Sequence, residues 1–108
     1  MAECIAKNEW KAFFDEFSKS LKENSVELEV EGLGIFDKIE AEWMPLIGVS
    51  YDPVDDTISV IFEKLDHSVT KPQEVVVERS ADGISRIEIV SSEDGAKNIL
   101  KFRQPVKL

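Results

Sequence analysis

The residue types that do chemistry are few in this chain, and they gather in three places. The stretch "KLDHSVTKPQ", residues 64–73, holds His67, the sole histidine, beside Asp66. An aspartate that orients an imidazole sets its tautomer and poises a base near neutral pH. That pairing is the start of a hydrolase-like enzyme or a small-ligand site. Adjacent residues point apart, however, and no Ser or Cys stands where a triad is recognisable in sequence. Triads assemble in space, which leaves Ser68 and Ser50 open as partners. The plainer reading is a loop histidine whose ring bonds to backbone and organises a long connection.

The second place is "GVSYDPVDDTISVIF", residues 48–62, with three aspartates and a proline between two alternating apolar runs. It lacks the alternating acidic spacing, the glycine and the distant bidentate Glu of a calcium loop. Turn chemistry accounts for it instead. Pro53 suits the second position of a type I turn, and Asp52 accepts from the backbone two residues on. The third place is the row Glu27, Glu29 and Glu31, three carboxylates on one face of an alternating run, with Glu40 and Glu42 as neighbours. Paired carboxylates do acid–base work only where the environment separates their pKa values, and a solvated strand gives no such separation. Cys4 is the only cysteine, so no intramolecular disulfide is possible and a reducing compartment is expected. "EGLGIF" has a G-x-G without a third glycine or a following Lys-Ser/Thr, so Gly32 and Gly34 are read as turn or bulge residues. No catalytic residue, cofactor or metal site is assigned.

The bulk numbers narrow the partners. The chain has 108 residues and a net charge of −9, which opposes direct binding to nucleic acid or anionic membrane, since both require neutralising phosphates. The charge is uneven: residues 1–66 carry 16 Asp/Glu against 6 Lys/Arg, and residues 67–108 carry 6 against 7. No apolar run approaches a membrane span, and the first residues lack a signal-like apolar core. A cytoplasmic single domain over 1–108 is expected, with residues 1–7 frayed.

The elements that must position these groups are one helix and a set of strands. Trp10, Phe13, Phe14, Phe17 and Leu21 fall on one stripe of a 3.6-residue period, which predicts a helix over about 9–23 with Asn8 as N-cap. Strands follow over about 26–103. Val26, Leu28 and Val30 alternate with the three glutamates, and Pro45 is expected to end the run through Trp43. Turn residues set the registers. A loop at 53–56 pairs Tyr51 with Ile58, Val49 with Val60 and Ile47 with Phe62. A three-residue loop, 81–83, pairs Val77 with Ile87 and Val75 with Ile89. A two-residue loop, Asp94-Gly95, pairs Ile89 with Leu100 and Ile87 with Phe102. The expected fold is α+β: the helix packed on a curved, mostly antiparallel sheet of six or seven strands, two-layered or barrel-like.

"EWKAFFDEFS", "EAEWMPLIGVSYDPVDD" and "LDHSVTKPQEVVV" together resemble a family of small bacterial proteins catalogued as a domain of unknown function. The likeness spans roughly residues 8–105. It implies a bacterial, cytoplasmic, single-domain protein and draws notice to Tyr51, Asp52, Pro53, Asp56, Asp66, His67 and Pro72. No activity comes with it. The functional expectation is a non-enzymatic protein-binding or regulatory module whose candidate surface includes Trp43, Met44, Glu27, Glu29 and Glu31, with Ile61 in an exposed apolar patch. The rivals are a small-ligand or hydrolase-like site at Asp66 and His67, and an acidic mimic of nucleic acid. Partner identity and oligomeric state are left open.

Overall fold

The aromatic stripe folds into the helix α1 (Trp10–Ser20), preceded by a 3-10 turn at Lys7–Glu9. The structure is a computed structural model that describes residues 2–21, 24–32, 38–93 and 95–107. The helix is shorter than the periodicity predicts, because Leu21 is already extended. Asn8 lies in the 3-10 turn, and Glu9 holds the cap position without a side-chain hydrogen bond. Ser18 anchors the last turns to the sheet, its hydroxyl donating to the Val49 carbonyl at 2.7 Å and accepting from the Val49 amide at 2.9 Å. Trp10, Phe14 and Phe17 are buried on the sheet, as an amphipathic helix with a large aromatic stripe requires.

Among the described residues, eight antiparallel strands form one sheet: β1 (Ala2–Cys4), β2 (Ser25–Glu31), β3 (Lys38–Asp52), β4 (Thr57–Phe62), β5 (Asp66–Thr70), β6 (Pro72–Ser80), β7 (Gly83–Ser91) and β8 (Lys97–Val106). Their order is β1-β6-β7-β8-β2-β3-β4-β5. The α+β class holds, and the count of eight differs from the expected six or seven because two strands are added and two expected runs merge into one. Residues 2–4, expected to fray, pair with β6, and the Ile5 amide donates to the Val75 carbonyl. Segment 66–70, read as irregular, is β5. The two runs around Pro45 are one continuous β3.

Pro45 does not end its strand because β3 changes neighbours there. Ser25 pairs with Pro45 on the β2 side, and Leu46 pairs with Phe62 on the β4 side. The missing N–H falls where the ladder is handed over. Two irregularities flank this point. Trp43 has a left-handed φ of 46° where β3 carries an extra residue against β2, and Ile47 is the extra residue between Leu46 and Gly48. Such bulges bend a strand, and here they let one strand serve both halves of the curled sheet. The sheet stays open, with β1 and β5 as its edges.

The registers test the turn readings. Tyr51 pairs with Ile58 and Val49 with Val60, as expected. Ile47 does not meet Phe62; Leu46 takes that position, and the bulged Ile47 is 60% exposed. Val75–Ile89, Val77–Ile87 and Glu78–Arg86 pair as predicted, but Ser80 then meets Gly83, so the loop has two residues and the bulge lies in β7. The β7–β8 hairpin is shifted by two residues: Ile87 meets Leu100 and Ile89 meets Asn98. Its loop is closed by the Ser91 amide on the Ala96 carbonyl and the Gly95 amide on the Ser91 carbonyl. A shift of two keeps every side chain on its face, so alternation alone does not separate the two registers. Asp94, Gly34 and the helical residues expected at 22–23 lie outside the described residues.

Candidate functional site

The strand β5 has the sequence DHSVT, and its pairing with β4 fixes which groups face where. Val69 lies opposite Ile58, and His67 opposite Val60. Both therefore point inward with the buried residues of β4. Asp66, Ser68 and Thr70 lie on the outer face and are exposed. The Phe62 amide donates to the Leu65 carbonyl at 2.7 Å, and the Lys71 amide to the Asp56 carbonyl at 2.8 Å. Antiparallel ladders alternate hydrogen-bonded and non-bonded pairs, so Leu65, His67, Val69 and Lys71 bond to β4. The N–H and C=O groups of Asp66, Ser68 and Thr70 point the other way, toward the open edge. Among the described residues these groups have no hydrogen-bond partner.

The imidazole is held from across the curled sheet, not by its sequence neighbour. His67 Nε2 lies 2.8 Å from Asn98 Oδ1, and Asn98 Nδ2 donates to the Ile89 carbonyl at 3.1 Å. With the amide nitrogen committed to a carbonyl, Oδ1 faces the ring, and an amide oxygen only accepts. His67 Nε2 therefore carries the proton, which leaves Nδ1 as the acceptor in the neutral ring. Asn98 is buried, and its two hydrogen bonds satisfy an amide that is costly to bury alone. Asp66 sits on the opposite face of β5. The loop-histidine reading is corrected on both counts: His67 lies in a strand, and its ring meets the Asn98 side chain instead of backbone, which pins the edge strand to β8.

A recess of 190 Å³ opens beside this contact. The β5 side supplies His67, Ser68, Val69 and Thr70; the β7–β8 side supplies Ser91, Glu93, Ala96 and Asn98; Val30 of β2 completes it. Lys71 pairs loosely with Glu93 at 3.7 Å, both ends more than half exposed. The hydroxyls continue onto the outer sheet face, where Ser50, Ser59 and Ser68 lie opposite one another across β3, β4 and β5. Sequence reasoning found His67 but missed Asn98, 31 residues away, and missed the edge itself. The signal for β5 was faint, since only Leu65 and Val69 mark the inward side and a histidine interrupts them.

The aspartates of residues 52–56 have separate partners. Asp52 Oδ1 accepts from the Val54 amide at 2.9 Å, the turn contact expected of it. The Asp55 carbonyl accepts from the Thr57 hydroxyl. Asp56, at a left-handed φ of 49°, accepts from the Tyr51 hydroxyl at 2.7 Å and meets Lys7 Nζ at 3.3 Å. The hydrogen bond to this carboxylate, aided by burial, pushes the Tyr51 phenol up to about 12. The same bond holds the Asp56 carboxyl below its ordinary value of 3.8, although burial works against it.

These shifts carry signs. A raised phenol favours the neutral form in the fold, so its contribution is intact below pH about 10 and is lost as pH climbs toward 12. The depressed Asp56 contributes above its ordinary range and loses that contribution as pH falls through its folded value. Tyr51 is the only tyrosine, so phenolate absorbance reports it alone. The expected midpoint is about 12, falling toward the ordinary value near 10 in Asp56→Asn.

The remaining candidates are dispersed. Glu27 and Glu29 do share the outer face of β2, and Lys101 of β8 bridges them at 3.7 and 2.8 Å. That hydrogen bond to Glu29 holds the Lys101 ammonium above its usual range. Glu31 continues the row beside Lys97, and the side chain of Glu40 is outside the described set. Trp43 is half-buried under the Arg103 guanidinium, 4.7 Å from the ring centre, and Met44 packs on the core. Neither is an open apolar anchor. Among the described residues the exposed large apolar side chains are Ile47, Val54 and Ile61, and Ile61 sits opposite Asp66 on the β4–β5 pair.

No described helix is long and apolar enough to cross a membrane. An uncharacterized protein of Aquifex aeolicus (strain VF5), a bacterium, is 40% identical over 105 residues, covering 96% of this chain and 94% of that protein. No solved structure matches the chain. The family model for DUF5335, a family of unknown function, matches residues 1–108. With the helix, the aspartate turn and the His67 strand all inside that match, the chain belongs to this family of unknown function.

Proposed function

We propose that this chain is a non-enzymatic, cytoplasmic protein-binding module that takes an extended segment of a partner onto the free edge of β5. One observation carries the reading: the outward backbone groups of Asp66, Ser68 and Thr70 run in sequence along an edge strand with no described partner. Edges are ordinarily blunted by short length, lysine, proline or a bulge. β1 is blunted by its three-residue length. β5 has five residues, pairs with β4 without a bulge, and presents small hydroxyl side chains at Ser68 and Thr70. Strand addition draws its affinity from main-chain hydrogen bonds of this type. Exposed Ile61 and the bulged Ile47 lie next to the same outer face, where a partner body would continue the contact. The net charge of −9 favours a basic partner and opposes a second copy of the chain.

Ser68→Pro tests the reading. Proline removes an N–H that β4 does not use, and edge positions tolerate it, so the unfolding free energy is expected to change by less than about 1 kcal/mol. Capture from native cytoplasm, run side by side with both proteins, should retain a basic species on the wild type. Ser68→Pro should lose at least ten-fold of it, and cross-links should map to β5. Equal retention on both proteins contradicts strand addition. A concentration-dependent dimer in light scattering that Ser68→Pro dissolves would place a second copy on the edge and overturn the basic-partner assignment.

A further inference from the structure

We infer that the recess between β5 and the β7–β8 turn is a subsite for one cationic side chain, lysine or arginine, of the added strand; this rests on the reading of β5 as a strand acceptor. The recess shares Ser68 and Thr70 with the free edge, so a strand laid along that edge runs past its mouth. Alternate side chains of such a strand point to the same side. At about 30 Å³ per water-sized group, a volume of 190 Å³ fits a chain of about the length of a lysine side chain.

The lining divides by chemistry. Val30, Val69 and Ala96 are apolar and suit a methylene stem, while among the described lining residues Glu93 is the one carboxylate. Long basic side chains combine an apolar stem with a charged head. The Asn98 amide is committed at both ends, to His67 and to Ile89, so it does not compete for the ligand. Ser91 contributes a hydroxyl that accepts as readily as it donates. His67 Nδ1 is an acceptor in the tautomer fixed by Asn98. Among the described lining residues acceptors outnumber fixed donors, the balance that receives an ammonium or guanidinium. Lys71 holds Glu93 through a single loose contact at 3.7 Å between exposed ends, a contact that an incoming cation can replace. An acidic side chain would meet the Glu93 carboxylate and would have to compete with it for Lys71.

The test selects random nine-residue peptides against the full chain, in parallel for wild type, Glu93→Gln and Ser68→Pro. It then titrates one enriched peptide and its norleucine analogue into each protein. The expected wild-type peptides carry Lys or Arg at one fixed position. Norleucine there weakens wild-type binding at least ten-fold and Glu93→Gln binding by less than three-fold. Ser68→Pro loses both peptides. Peptides that bind in a Ser68-dependent way with no basic preference, or with the same norleucine penalty in Glu93→Gln, overturn the subsite and leave strand addition standing. Peptides that bind equally to Ser68→Pro overturn the reading beneath it. n-Butylamine binding that depends on Glu93, in a protein that takes no peptide, would make the recess a free-amine site and also overturn the inference.

Discussion

Trp10→Ala is expected to lower the unfolding free energy by about 3–5 kcal/mol, the usual cost of emptying a large aromatic site. Trp10 is 1% exposed and joins three parts of the molecule. Its ring stands edge-on to Tyr51 at 5.2 Å, Lys7 lies over it, and its Nε1 donates to the Ile5 carbonyl at 2.8 Å. Ile5 in turn donates its amide to Val75 of β6. Removing the ring leaves a cavity between α1 and β3 and orphans the Ile5 carbonyl. For a domain of this length the whole stability is of the order of 5–15 kcal/mol, so the variant is expected to be partly unfolded at 37 °C. Urea denaturation followed by the fluorescence of Trp43, the only other tryptophan, measures it. Trp10→Phe should lose much less, because most of the packing stays and one hydrogen bond goes.

Gly83→Ala is the second large effect, expected at about 3 kcal/mol. Gly83 sits at φ +129°, a conformation that side chains rarely adopt, and an added Cβ would lie 2.6 Å from the Val106 carbonyl oxygen. Backbone strain of that type costs about 1–3 kcal/mol by itself, and the overlap is with main chain, which cannot rotate away. The start of β7 must then pull back from the end of β8, where Ile84 pairs with Val106. A thermal scan should show the midpoint down by roughly 10–20 °C. Ala81→Gly, in the adjoining loop, should move it by only a few degrees.

Gly83 also shows what the residues told in advance. Its need for a special backbone was legible, but the cause was not. It was read as the left-handed residue of a three-residue loop; in the fold the loop is Ala81-Asp82, and the glycine is needed for close approach to β8. The helix stripe was legible because five aromatic or aliphatic residues repeat at one period and have only a sheet to cover. The faces of β2, β4, β6 and β7 were legible by alternation. The register of β7 on β8 was not, since a shift of two residues preserves every face. The candidate site was half visible. His67 stood out as the lone imidazole, whereas its partner Asn98 is set by the curl of the sheet and leaves no local mark. Strand β5 was hidden because polar residues fill its outer face and a histidine interrupts the inner one.

The free edge itself is open to a direct reading. Amide hydrogen exchange of the unliganded protein, residue by residue along β5 by NMR, should alternate. The His67 and Val69 amides, bonded to β4, are expected to exchange slowly, and those of Asp66, Ser68 and Thr70 at rates near those of exposed chain. Slow exchange at Ser68 and Thr70 in the free monomer would mean that this edge is already satisfied, and strand addition at β5 would be contradicted.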